Sequence, residues 1–129
     1  MNARNIAYWI ATILTAFVFL SGGATYLAGV KEPLEGMAAL GYPRYFVTIL
    51  GVWKVLGGLA ILAPRTPRLK EWAYAGITFD LTGAAMSHAA MRDPAWHVAV
   101  PLVILVIAAA SWALRPPSRV LGAILSSPV

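Results

Sequence analysis

Lys54 and Asp80 are the side chains whose types and placement invite chemistry. An ammonium beside a carboxylate can orient a polar ligand, donate to a carbonyl oxygen, or accept and pass a proton. Each interrupts a long apolar run: Lys54 is the midpoint of residues 45–63, and Asp80 lies close to the midpoint of residues 72–91. A charge at a bilayer centre costs about 2.5–3.5 kcal/mol on insertion scales, so each calls for a partner. Opposite charges at one depth on successive helices offset each other. The pair is expected to hold the architecture together, line a working cavity, or both. A structural salt bridge is the plainer alternative to a site, and Glu35 or Glu32 from a folded-in first loop is a second candidate partner for Lys54.

Helical periodicity gives both charges the same inward direction. Gly51, Lys54 and Gly58 fall at i, i+3 and i+7, with Gly57 beside them. Gly76, Asp80, Gly83, Ala84 and Ser87 follow i, i+4, i+7, i+8 and i+11, with His88 at the edge of that face. Small residues let membrane helices approach, so Gly51, Gly57, Gly58, Gly76 and Gly83 are expected as packing positions. Lys54, Asp80, Ser87 and His88 are the candidate ligand-binding residues; no catalytic residue is assigned.

His88 and His97 flank a short turn and invite bis-histidine haem ligation. Both stand within about a turn of the helix ends, where a haem would be poorly enclosed. Polar contacts at the interface are the expected role, and no metal is expected. A proton relay from Asp80 past Ser87 and His88 stays open. Thr25 and Tyr26, after the small cluster Gly22-Gly23-Ala24, are placed to close the cavity or simply to pack.

These residues must be positioned by membrane helices. The chain has 129 residues, 60% hydrophobic and 12% charged, with mean hydropathy +0.73, against about 25% charged in a soluble domain. Crossing about 30 Å of hydrocarbon takes roughly 20 helical residues. Ile6–Gly29, Tyr45–Ala63, Trp72–Met91 and Ala95–Leu114 qualify. The fold expected is all-α: a polytopic, antiparallel four-transmembrane-helix bundle forming one domain over residues 1–129. The runs lack the period-2 alternation of a membrane barrel. The first uncharged stretch continues to Val30, beyond a signal peptide's apolar region, and is read as retained.

The sequence has no cysteine, which excludes disulfides, thiolate nucleophiles and Cys-ligated metals. The net charge of +5 lacks the basic–aromatic patch of a nucleic-acid binder, and no nucleic acid is expected. Instead the charge follows topology. Arg4, Arg65, Arg68, Lys70, Arg115 and Arg119 share one side; Lys31, Arg44 and Arg92 on the other are diluted by Glu32, Glu35 and Asp93. The positive-inside rule puts both termini in the cytoplasm of a multi-pass cell-membrane protein.

In the first loop, Pro33, the stripe Leu34, Met37, Leu40 and the stop Gly41 predict a short helix in the outer interface. The second, Pro64 to Glu71, reads as a stiff cytoplasmic turn that meets anionic headgroups. Arg92-Asp93-Pro94 is short enough to make its flanking spans antiparallel neighbours, Pro101 should bend the last span, and Pro116-Pro117 should stop it. The apolar tail from Val120 to Leu125 is expected on the inner surface.

Several of these runs resemble the DoxX-like family. They are Leu40-Gly41-Tyr42-Pro43 and Leu50 to Gly58 with its Gly-Val-Trp-Lys-Val-Leu-Gly-Gly core; Pro64 with Pro67 to Gly76; Phe79-Asp80-Leu81-Thr82-Gly83-Ala84; and Ser87-His88. The resemblance implies a small four-helix integral membrane protein and singles out Lys54, Asp80, Ser87 and His88. The family takes its name from a subunit of an archaeal quinone-reducing thiosulfate oxidoreductase. Relatives are linked to membrane oxidoreductase complexes and, in animals, to assembly of a neurotransmitter receptor. The function expected is therefore a quinone- or lipophile-binding subunit of a membrane oxidoreductase. Such a chain has no intrinsic redox cofactor; a bound quinone and a partner protein would complete it. The alternatives are a non-enzymatic assembly protein, dimeric or with other membrane partners, and a small proton-coupled transporter. The adjacent lysine argues against the freely exchanging carboxylate that a transporter needs.

Overall fold

Helix signals at the termini of each apolar run set the elements. In the computed structural model, which describes residues 2–120, the described residues form five α-helices and one 3-10 turn and include no strand. Helix α1 spans Ala3–Ala28. The Asn2 side chain caps it by accepting from the Asn5 N–H at 2.9 Å. Gly29, at φ 76°, ends it in the left-handed conformation that a Cβ disfavours. Helix α2, Lys31–Ala39, is the short helix expected in the first loop; Met37 is its buried anchor and Gly41, at φ 91°, follows its end.

Helix α3 spans Arg44–Leu62 and α4 spans Pro67–Ala90, with Pro67 at the helix start where its missing N–H is harmless. Thus α4 begins five residues ahead of the apolar run at Trp72. Helix α5, Ala95–Ala113, contains Pro101 and is followed by the 3-10 turn Pro117–Arg119, which starts on the second of the paired prolines. From Leu121 onward the apolar tail lies outside the described residues.

Helix α1 packs closely on α3 and also on α5; α4 packs on α5 and, more loosely, on α3. The core is small, built from Ala16, Phe19, Ile61, Tyr74, Ile77, Leu81 and Ala108. Polarity is otherwise inverted. Thr12, Thr15, Ser111, Lys70, Arg115 and Arg119 are buried, whereas Phe17, Phe79, Trp72 and Val106 face outward. Helices α1, α3 and α5 are long and apolar enough to cross a membrane. Exposed apolar side chains around buried hydroxyls fit lipid and not water as the surrounding medium.

Candidate functional site

The α3–α4 seam holds the central charges. Lys54 Nζ donates to Asp80 Oδ2 at 3.0 Å, and the two side chains are only 12% and 13% exposed. Asp80, and not Glu32 or Glu35 of the first loop, is thus the Lys54 counter-ion; Glu35 lies 3.8 Å from Lys31 on the exposed face of α2. Behind the ammonium stand two rings of α1, Phe19 at 4.6 Å and Tyr26 at 5.7 Å from Nζ to the ring centroids. Their faces favour a cation. The lysine stem runs along α1 here: a Cβ on Gly22 would meet Lys54 Cδ in ordinary contact at 4.0 Å.

Beside the pair is a cavity of about 260 Å³. This is just under the roughly 300–1,000 Å³ of drug-sized ligand pockets and suits a ring or part of an acyl chain. Lys54 and Asp80 are the charged groups in an otherwise apolar wall. Trp53, Leu56, Leu69 and Trp72 line its mouth and are exposed, so the cavity opens sideways from the seam. Asp80 is the hydrogen-bond acceptor that Lys54 meets among the described residues. An ammonium has three N–H donors, so donors remain for a ligand oxygen.

The glycines do not share one role. A Cβ on Gly51 would lie 3.1 Å from Leu27 Cγ and Tyr26 Cβ, and one on Gly58 2.8 Å from Leu20 Cγ. These two pack against α1. A Cβ on Gly57, Gly76 or Gly83 would meet nothing within 4 Å. The close packing expected of those three is therefore absent among the described residues. One residue of offset turns Gly57 about 100° from Gly58, off the α1 contact and onto the cavity wall, where Gly76 faces it from α4.

Ser87 and His88 belong elsewhere. Ser87 Oγ and the Tyr42 hydroxyl are 2.5 Å apart, which ties the end of the first loop to α4, and Ser87 also donates to Gly83 O at 2.8 Å. His88 Nδ1 lies 2.7 Å from Asp93 Oδ2, and its ring meets that of His97 edge-on at 5.1 Å. Neither Ser87 nor His88 lines the Lys54–Asp80 cavity, and no hydrogen bond joins Asp80 to Ser87 among the described residues. The relay imagined between them has no continuous path here.

A second polar cluster, at the opposite ends of the helices, escapes sequence reasoning. Lys70, fully buried, donates from Nζ to Ala60 O and Thr66 Oγ1 at 3.0 Å and also to Ala63 O. Arg119 reaches Ile61 O at 3.1 Å and the Tyr8 hydroxyl at 3.2 Å. Both cations thus satisfy the unpaired carbonyls at the C-terminus of α3, where the helix dipole favours positive charge. Arg115 binds Glu71 at 2.7 Å and Arg119 O at 3.1 Å. Lys70 precedes the apolar part of α4; burial, then the neighbouring Arg119 and Arg115, lower it to about 8. Of the second loop's three basic residues, Lys70 thus turns inward, while Arg65 and Arg68 stay exposed. Deeper in, Ser111 Oγ lies 2.6 Å from both Thr12 Oγ1 and the Tyr74 hydroxyl.

No match to a curated protein or to a solved structure reaches significance. A family model does match: it covers residues 10–111, from the first third of α1 to the last turn of α5, and includes the Lys54–Asp80 seam. The chain belongs to the DoxX-like family.

Proposed function

We propose that this is a four-span membrane protein whose α3–α4 seam binds a lipophilic carbonyl compound, a quinone in the reading favoured, delivered sideways from the bilayer. In this topology α4 is the fourth span, the helices form an antiparallel bundle, and both termini are cytoplasmic. The observation that carries the reading is an ion pair set in the wall of an apolar cavity open to the side. Lys54 would donate to the ligand's carbonyl oxygen while Asp80 fixes the ammonium in place. The cavity volume fits the ring of such a ligand, with the remaining hydrocarbon lying between Trp53 and Trp72 in lipid. As one chain without cysteine it would act as a binding subunit and pass electrons only through a partner.

One observation favours an assembly role instead. Lys54 is already paired with Asp80 and faced by two rings, so the group is stable without a ligand. The two readings part on what the protein carries. Protein purified in mild detergent would be extracted and its small molecules measured by mass spectrometry and absorption, for wild type and Lys54→Met. A stoichiometric lipophile lost in Lys54→Met is expected. A folded wild type that carries none, and takes up none from quinone-loaded micelles, sinks the binding reading in favour of assembly.

A further inference from the structure

At the outer turn between α4 and α5 the structure gathers three metal-ligating side chains that the central seam does not use. His88 lies in the last turn of α4, Asp93 in the turn, and His97 in the first turn of α5. One donor atom from each, all three together, fall within 4.8 Å of one another. Asp93 Oδ2 is 2.7 Å from His88 Nδ1 and 3.9 Å from His97 Nδ1. We infer that His88, Asp93 and His97 form a binding site for a first-row divalent transition-metal ion, independent of the Lys54–Asp80 cavity.

The distances fit that assignment. Zinc binds histidine nitrogen and carboxylate oxygen at roughly 2.0–2.2 Å, which in tetrahedral geometry separates donor atoms by about 3.3–3.5 Å. The two separations from Asp93 lie on either side of that value, and all three donors lie within 4.8 Å of one another. Small rotations of the side chains, opening one contact and closing the other, bring an ion into the centre. Two imidazoles and one carboxylate are the ligand set of such ions and not of calcium or magnesium, which take oxygen.

The turn is also built to hold these groups in place. Asp93 N–H donates to His88 O at 3.0 Å, and His97 N–H to Pro94 O at 2.9 Å. Arg92, at φ 56°, reverses the chain between them. Trp96 contacts the His97 ring edge-on at 3.9 Å between centroids. Each of the three side chains is a quarter to a third exposed, so an ion can enter and water can complete its shell. Three protein ligands with one open position make an exchangeable site and not a closed structural one.

The test uses the full chain in mild detergent, without a histidine tag and stripped with chelator, titrated with zinc chloride by calorimetry at neutral pH. One zinc per chain is expected. His97→Gln, Asp93→Asn and His88→Gln should each weaken binding by at least about tenfold, the loss that even outer-shell partners bring. Cobalt gives a second readout: visible d–d bands should appear in wild type and vanish in His88→Gln. Helical circular dichroism and the metal-free melting midpoint check that each variant folds; His97→Gln, on an exposed first turn, disturbs packing least. A wild type that takes up no zinc overturns the site. So does binding that survives His88→Gln with His97→Gln, which would leave Asp93 as a hydrogen-bond partner of His88 only.

Discussion

Helix α3 meets its two neighbours in opposite ways. Towards α1 it presents Gly51 and Gly58, and the backbones close until Gly23 has no room for a methyl group: a Cβ there would sit 2.7 Å from Gly51 O. Towards α4 it presents Gly57, opposite Gly76, and the gap stays open. The same residue type thus serves contact on one face and vacancy on the other. The Lys54–Asp80 pair bridges the open seam at mid-depth, and Lys70 bridges it again at the C-terminus of α3. One seam is held by close backbone packing, which lipid does not weaken; the other combines polar ties at two depths with Ile61 in one core with Tyr74 and Ile77. A charged tie set beside a cavity is the arrangement that the proposed binding role requires.

The largest effect should come from breaking the charged tie on one side. Lys54→Met leaves Asp80 almost buried without a counter-ion, and removing one partner of a buried pair costs about 3–5 kcal/mol. Asp80→Leu should cost a similar amount. The double variant Lys54→Met with Asp80→Leu should regain most of the loss, because no uncompensated charge remains. Unfolding in detergent–denaturant mixtures, followed by tryptophan fluorescence, measures all three. Additive losses in the double variant would mean that the two charges do not act as a pair.

The packed seam should respond next. Gly23→Ala forces a methyl against Gly51 O and Val55 Cγ2, both 2.7 Å from its Cβ, with backbone as one of the obstacles. Overpacking of this kind costs about 1–3 kcal/mol. Gly58→Ala should cost less, since the atoms in its way belong to the flexible Leu20 side chain. The same unfolding measurement ranks them, and equal losses would show that the α1–α3 seam gives way as a whole.

The pairing of Lys54 with Asp80 was legible because depth and periodicity point to it separately: both charges sit mid-run, and both share a face with small residues. The short helix α2 was legible from Pro33, its apolar stripe and Gly41. The division of the glycines was not. Gly57 and Gly58 are adjacent, and periodicity assigns a face only relative to neighbours whose positions the sequence does not give. The burial of Lys70, Arg115 and Arg119 was hidden for a related reason. A basic residue beside an apolar run reads the same whether it reaches outward to lipid or inward to helix carbonyls. Asp93 went unnoticed as a partner for His88 and His97 because the turn that folds it back depends on Arg92 adopting φ 56°, which no residue type there announces.

The smallest effect on stability should carry the most information about binding. At Gly57 and Gly76 a Cβ meets nothing, and alanine exceeds glycine in helix propensity by about 0.8–1.0 kcal/mol. Gly57→Ala and Gly76→Ala should therefore leave stability unchanged or raise it by up to about 1 kcal/mol, the reverse of Gly23→Ala. Gly57→Leu goes further, placing a branched side chain in a cavity of about 260 Å³ while leaving Lys54 and Asp80 in place. It separates volume from charge, which Lys54→Met does not. If the seam is open in order to hold a lipophile, Gly57→Leu should fold like wild type and come out of detergent without its ligand. Undiminished ligand in a folded Gly57→Leu would mean that the molecule sits elsewhere, and the open seam would then need a partner helix to explain it.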